Sequence, residues 1–211
     1  MKKLISAVGL ALLLSSPILA QNTNRFSFVF GGGFTQPVRF SEDRLNTGFN
    51  FLAGGGVNVS KHVGLLGEFG FNHMGLSTGT LAARGVPDGS TRIYSFTFNP
   101  VVRMNPEGRF DPYITFGGGY YRRTVEFTAP TTAVVSAFDP FYGVFFPIEV
   151  PANEILGSFS QNKGGANVGA GFSVRISGDS NVKLFAEARG HYIWTTPVRT
   201  TYVPVSFGLR W

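Results

Sequence analysis

The sequence predicts an all-β fold, an eight-stranded antiparallel up-and-down transmembrane β-barrel, and three observations lead to this prediction. First, apolar and polar side chains alternate along eight segments, which is the period of two of an extended strand. Second, one face of these segments is an almost continuous series of Phe, Leu, Val and Tyr, whereas the other carries charges in mid-strand. Third, the final segment ends on Trp211 with an apolar face. An apolar strand face can remain without protein packed against it when it contacts lipid, so this ending favours a membrane barrel.

The predicted strands, taken in order, each have the length of about ten residues that a tilted membrane strand requires. Their bounds are 25–34, 47–59, 63–74, 92–103, 110–122, 167–177, 182–194 and 202–211. In the first four strands the outward side chains include Phe26, Phe28, Phe30 and Phe34, then Phe49, Phe51 and Val57, then Leu65, Phe69 and Phe71, then Tyr94, Phe96 and Phe98. In the last four they include Ile114, Phe116 and Tyr120, then Val168, Phe172 and Val174, then Leu184, Tyr192 and Trp194, then Val203, Val205, Phe207, Leu209 and Trp211.

The connections between these strands alternate between short and long. Those after strands two, four and six are short, at 60–62, 104–109 and 178–181. Those after strands one, three and five are long, near 35–46, 75–91 and 123–166. Short periplasmic turns opposite longer external loops are the arrangement of outer-membrane barrels. A soluble lipocalin-like barrel also closes eight strands, but mid-strand charges favour a polar interior and a lipid-facing exterior.

The N-terminus predicts export. Lys2 and Lys3 precede an apolar run from Leu4 to Leu14, and small residues lead to Ala20. This is the layout of a secretory signal peptide, and the run is too short for a membrane-spanning helix. We therefore expect a signal peptide at 1–20 and one barrel domain at 21–211. Removal of the signal leaves 191 residues and lowers the net charge from +6 to +4.

Composition excludes several classes of function. The chain has no Cys, which rules out disulfides, thiolate metal sites and a lipoprotein anchor. Only 14% of residues are charged, whereas 28 are Gly and 22 are Phe. Soluble domains usually approach about 25% charged residues. Lys and Arg are not clustered as a phosphate-tracking groove requires, so no nucleic-acid partner is expected.

Three segments resemble a known family. They are Phe110-Asp-Pro-Tyr-Ile-Thr-Phe-Gly-Gly-Gly-Tyr-Tyr121, Glu187-Ala-Arg-Gly-His-Tyr192 and the final strand, and they are similar to small outer-membrane β-barrel domains of the OmpA-transmembrane or OmpX type. The resemblance covers essentially the whole mature chain. It implies a location in the outer membrane of a diderm bacterium, among outer-membrane lipid and lipopolysaccharide. It also implies an insertion signal read by the barrel-assembly machinery and formed by Val205, Phe207, Leu209 and Trp211, with Trp where the family usually has Phe. Because nothing follows Trp211, we expect no periplasmic cell-wall-binding domain.

Glu68, Glu187 and Arg189 are expected to point into the barrel. An isolated buried charge is costly, so opposite charges should pair there. Eight strands leave an interior that side chains can fill, and we therefore expect a packed polar core joined by salt bridges. A narrow ion or diffusion path is the alternative.

Other candidate sites have weaker support. His73 and Ser77 near the external rim could serve a lipid-modifying enzyme, but they lack the geometry of a catalytic triad. No histidine pair has metal-ligand spacing, and the Gly runs at 31–33, 54–56 and 117–119 are not followed by G-K-[ST]. No enzyme activity, metal or cofactor is therefore expected. The Gly runs instead indicate bends or close packing.

The external end is the expected site of recognition. Tyr94, Tyr120, Tyr192 and Trp194 have the amphipathic rings of an interface girdle. Arg84, Arg122, Arg123 and Arg199 lie near this end, where lipopolysaccharide phosphates could bind. The longest connection, 124–166, has an apolar centre at 138–151. It either folds over the barrel mouth, extends strands five and six, or offers a patch to an external partner. We expect a structural, adhesive or partner-binding role through the external loops.

Overall fold

The computed structural model describes residues 25–176 and 181–211, in which eight antiparallel strands form a closed barrel with the order of the chain. Each strand pairs with the next, and β1 closes the ring by pairing with β8 from Val29↔Arg210 to Pro37↔Tyr202. The bounds are β1 Phe26–Pro37, β2 Gly48–Asn58, β3 Val63–Gly75, β4 Asp88–Arg103, β5 Phe110–Asp139, β6 Val144–Arg175, β7 Lys183–Ile193 and β8 Thr200–Arg210. The predicted fold class is confirmed.

The alternation of side chains produces an exterior of exposed apolar groups and a buried interior. In β1, Phe26, Phe28 and Phe30 are exposed, whereas Ser27 and Val29 between them are buried. The same pattern continues around the ring, so many polar side chains are buried inside the barrel and most large apolar ones are exposed on its outer wall. Exposed apolar side chains are suited to contact with the hydrocarbon of a membrane. A closed barrel is suited to the same environment, because every backbone hydrogen bond is made within the wall.

The longest predicted connection is instead a continuation of β5 and β6. The two strands remain paired from Thr128↔Ile155 to Asp139↔Val144, whereas β4 last pairs with β5 at Thr128. At about 3.4 Å per residue, the ribbon projects roughly 37 Å past β4. Of the three alternatives for 124–166, the structure therefore shows the extended strands. The segment contains prolines, which are tolerated at the open edges of a two-stranded ribbon.

The two other long connections fold onto the same end of the barrel. The β1–β2 connection contains a 3-10 turn at Arg39–Ser41, and the β3–β4 connection contains helix α1, Thr78–Arg84. Ser77 Oγ accepts a hydrogen bond from the amide N–H of Thr80, and Gly85 ends the helix with a φ of 64°, a conformation that glycine adopts readily. The sequence reading did not predict α1. No helix among residues 25–176 and 181–211 has the length and hydropathy to span a membrane.

Two predicted segments lie partly or wholly outside the residues that the structure describes. The signal peptide at 1–20 lies outside the described residues, as does most of the short turn at 178–181. The other two short turns, at 60–62 and 104–109, lie between the observed strands as predicted.

Candidate functional site

An ion triad crosses the middle of the barrel interior. Arg189 on β7 donates from Nη1 to Glu68 Oε2 on β3 at 2.6 Å and from Nε to Glu187 Oε1 at 2.8 Å. All three side chains are buried. The three residues that the sequence placed inside the barrel thus lie there together, with one guanidinium between two carboxylates. Such geometry offsets the cost of burying the charges, because each carboxylate receives charge-assisted hydrogen bonds.

Neutral polar groups extend the triad across the lumen. Asn99 Nδ2 donates to Glu68 Oε2 and, at 2.8 Å, to Thr97 Oγ1. Asn167 Nδ2 donates to Asn99 Oδ1 at 3.0 Å. The cavity beside the triad measures only about 30 Å³, room for roughly one or two water molecules. Side chains therefore fill most of this part of the lumen.

An aromatic layer lies on the external side of the triad. Tyr121 Oη and His191 Nδ1 are 3.0 Å apart, and the His191 ring stacks on Tyr202 at 4.8 Å between centroids and 5° between planes. Above them a buried apolar cluster includes Met74, Ile93 and Ile193. The sequence reading expected the inner face to be polar. Near the external end it is apolar instead.

A cavity of about 440 Å³, which we call the external vestibule, lies at this end of the barrel. Its walls come from the β1–β2 and β3–β4 connections, the external ends of β4, β5 and β6, and the β7–β8 connection. Its apolar lining comprises Phe40, Leu45, Leu76, Val125, Phe127, Phe159, Pro197 and Val198. Leu45 and Leu76 also belong to the buried cluster below, so packed apolar side chains form the floor of the vestibule.

Four arginines line the external vestibule: Arg44, Arg84, Arg123 and Arg199. None of the described residues in its lining is acidic, and within the described chain no ion pair involves any of the four. Arg122, which the sequence reading grouped with them, instead points outward beside Arg92 and Glu126. The sequence did not identify Arg44 as a residue of this site, because Arg44 lies in a loop, where side-chain directions do not follow the alternation of a strand.

The residues of the predicted insertion signal occupy the outer face of β8. Phe207, Leu209 and Trp211 are exposed, Val205 is half-buried, and the intervening Ser206 and Arg210 are buried. Outward aromatic side chains also occupy the positions predicted for the girdle, Tyr94, Tyr120, Tyr192 and Trp194. These four lie on the outer wall toward the end where β4, β5 and β7 approach the external loops. Tyr192 and Trp194 meet edge to face at 6.4 Å.

His73 and Ser77 do not form a catalytic arrangement with each other. His73 faces outward and packs on Phe49 at 5.2 Å between ring centroids. Ser77 Oγ is committed to helix α1 as its N-cap, and it donates to the backbone carbonyl of Asp43 at 2.7 Å. Among residues 25–176 and 181–211, no three His, Asp or Glu side chains converge as metal ligands would.

The glycines that make room for the bulky interior tyrosines lie outside the three glycine runs at 31–33, 54–56 and 117–119. A Cβ at Gly171 would lie 2.7 Å from Tyr113 Oη, and one at Gly165 would lie 2.8 Å from Tyr121 Cε2. Within the runs, a Cβ at Gly31 would meet the Phe185 ring at 2.8 Å, and one at Gly54 would meet the Glu68 side chain at 2.7 Å. Interior glycines thus provide space for large side chains in a narrow lumen.

Comparisons with known proteins gave one family match and several structural matches. The family model for the outer membrane protein beta-barrel domain matches residues 6–210. Among solved structures, Neisserial surface protein A matches with a TM-score of 0.57 at 16% identity, covering 88% of this chain and 95% of that one. Ail of Yersinia pestis, solved in complex with the heparin analogue sucrose octasulfate, has a TM-score of 0.47 at 17% identity, covering 89% of this chain and 99% of that one. The N-terminal barrel of Pseudomonas aeruginosa OprF has a TM-score of 0.44 at 13% identity, covering 90% of this chain and 100% of that one.

A comparison with curated protein sequences gave no match. The closed ring, the inverted distribution of side chains and the alternation of short and long connections define an integral outer-membrane β-barrel protein. Because the family model matches residues 6–210, nearly the whole chain, the protein belongs to the outer membrane protein beta-barrel family.

Proposed function

We propose that this outer-membrane protein binds a partner outside the cell through the projecting β5–β6 hairpin. The observation that carries the proposal is the composition of its end, residues 138–146, which we call the hairpin tip. Phe141 is 85% exposed, Tyr142 73% and Phe145 71%. Contiguous exposed apolar groups mark interaction sites, and aromatic side chains often supply most of the binding energy at protein interfaces.

Local hydrogen bonds and ring packing also fix the conformation of the hairpin tip. Asp139 Oδ1 accepts hydrogen bonds from the amide N–H groups of Phe141 at 2.8 Å and Tyr142 at 3.3 Å. Gly143 supports the turn with a φ of 67°, and Phe138 packs on Phe145 at 5.1 Å between ring centroids. A rigid tip loses less conformational entropy on binding than a flexible loop would.

Charge favours presentation of the tip away from the membrane surface. Residues 124–162 contain no Lys, Arg or His, and they include Glu126, Asp139, Glu149 and Glu154. Negative charge is repelled by anionic lipopolysaccharide, so the ribbon is disfavoured from lying down on its own membrane. The same charge favours a partner whose binding surface is apolar and rimmed by basic groups.

Adhesion of whole cells tests this proposal. Cells expressing wild-type protein should adhere to a cultured epithelial monolayer more than cells without it. The triple variant Phe141→Ser, Tyr142→Ser, Phe145→Ser should lose that increment, because it removes the apolar contact area. The matched control is Thr131→Ala with Thr132→Ala, two exposed positions on the same ribbon.

Surface proteolysis of intact cells would verify equal display of all forms. If the tip variant adhered as well as wild type at equal display, or if wild type added no adhesion, the proposed role would be wrong.

A further inference from the structure

We infer that the external vestibule binds an anionic amphiphile, a molecule with a carboxylate or phosphate head and a short hydrocarbon chain. Its volume of about 440 Å³ falls within the range of roughly 300–1,000 Å³ that is usual for small-molecule sites. The site is separate from the hairpin tip, so the inference does not depend on the proposed adhesive role.

The inner wall suits a hydrocarbon chain. Leu45 and Leu76 form an isolated bridge between two loops and are almost fully buried, so they present a fixed apolar surface. Val125 and Phe127 continue that surface on β5, since both follow the inward period set by Tyr121. A hydrocarbon chain lying there would be removed from water on several sides, which favours binding.

The arginines suit an anionic head. Opposite charges normally accompany buried or clustered guanidinium groups, yet the four arginines here have none within the described chain. Arg123 is half-buried, and its Nη1 donates to Thr200 Oγ1 at 2.7 Å. Its Nε has no hydrogen-bond partner.

A second lining group is likewise unpartnered. Thr91 Oγ1 belongs to a side chain only 1% exposed, it lies in the lining of the vestibule, and it has no hydrogen-bond partner. A buried polar atom without a partner costs free energy that a ligand oxygen could recover. An anionic head placed beside Arg123 and Thr91 would accept hydrogen bonds from both groups.

Apolar and cationic groups alternate in the same wall. Arg44 precedes Leu45 in one loop, and the Arg84 guanidinium lies 5.7 Å from the centroid of the Phe127 ring. A neutral hydrocarbon would leave the arginines without an opposite charge, and a small inorganic anion would leave the apolar wall in contact with water. A single molecule with both parts satisfies both surfaces.

Binding is measured on protein in phosphatidylcholine nanodiscs by calorimetry, with empty nanodiscs as the blank for partitioning. Decanoate should bind with saturation at one molecule per barrel. Decanol, acetate and inorganic phosphate, each of which has only one of the two parts, should bind at least tenfold more weakly. Methyl resonances of Leu45, Leu76 and Val125 should shift on addition of decanoate, which places the ligand in the vestibule.

Two variants test the role of the arginines. Arg44→Gln lies in an exposed loop and should leave the barrel intact, and Arg123→Gln removes the half-buried donor. Each should weaken decanoate binding by about tenfold, the loss expected for one charge-assisted hydrogen bond. Arg122→Gln is the matched control, since Arg122 is the sequence neighbour of Arg123 on the opposite face of β5.

A second arm identifies the source of the amphiphile. Nanodiscs containing phosphatidylglycerol compete with decanoate if a membrane lipid is the natural occupant, and they leave its affinity unchanged if the occupant arrives free from outside. The inference is overturned if decanoate binding fails to saturate, if decanol binds as tightly as decanoate, or if both arginine variants bind as tightly as the Arg122→Gln control.

Discussion

Replacement of Arg189 by Met should destabilise the barrel strongly, because two buried carboxylates share this one guanidinium. Arg189 Nη1 and Nη2 lie 2.6 and 3.2 Å from Glu68 Oε2 and Oε1, and Nη2 lies 2.6 Å from Glu187 Oε1. Removal of one partner of a buried ion pair costs about 3–5 kcal/mol. With two carboxylates left unpaired the upper part of that range is expected, lessened by the hydrogen bond that Asn99 still donates to Glu68.

The magnitude is measured by urea unfolding of protein in lipid vesicles. Tryptophan fluorescence should report a lower free energy of unfolding for Arg189→Met, with an unchanged dependence on urea if the folded state is intact. The triple variant Arg189→Met, Glu68→Gln, Glu187→Gln should recover most of the loss, because it removes the unpaired charges along with the pair. Arg122→Met is the control, and its effect should stay within about 0.5 kcal/mol because Arg122 is exposed.

A loss below about 1 kcal/mol for Arg189→Met would refute the reasoning, since a group so weakly coupled to its neighbours is not a desolvated ion pair. The same conclusion would follow if the triple variant were as unstable as the single one. Either result would mean that water enters the lumen freely enough to solvate Glu68 and Glu187.

Three further predictions concern the wall and the lumen. Phe207→Asp should reduce assembly, because Phe207 faces outward in mid-strand and a charge at the bilayer midplane costs a few kcal/mol. Loss of the heat-modifiable gel band would show the reduced assembly. Normal insertion of the variant would contradict the outward placement of Phe207. Gly171→Val should cost about 1–3 kcal/mol by overpacking against Tyr113, measured by urea unfolding, whereas Gly157→Ala meets no atom within 4 Å and should be nearly neutral. Wild-type protein in planar bilayers should carry no stable, reproducible pore current, because side chains fill the lumen around the ion triad; such a current would contradict the plugged interior.

The sequence was sufficient for the strands of the wall because each strand satisfies one local rule. Inside and outside alternate residue by residue, so the parity of Phe207 against Ser206, or of Phe69 against Glu68, assigns their faces without knowledge of any neighbour. The same alternation, continued past the inward-facing Tyr121, would have assigned Arg122 to the outer face and Arg123 to the inner face. The mid-strand charges identified which face is interior, because ionised groups are expensive in lipid.

The sequence left the projecting hairpin as one of three alternatives for 124–166, and it did not choose between them for an equally physical reason. Beyond the membrane both faces of a two-stranded ribbon contact water, so the hydrophobic alternation that marks a wall strand is no longer required there. Residues such as Pro147 and Pro151 resemble loop signals unless the ribbon edge that carries them is known to be free.

The period of two in eight segments determined that this chain is a lipid-facing barrel with charged residues inside it. Only the tertiary structure decided that Arg189 bridges Glu68 and Glu187, and that Arg44 from a loop shares one cavity with Arg123 from a strand. These groupings depend on the stagger between neighbouring strands and on the direction of each loop. Both are set by contacts between residues far apart in the chain, which a local pattern of side chains does not encode.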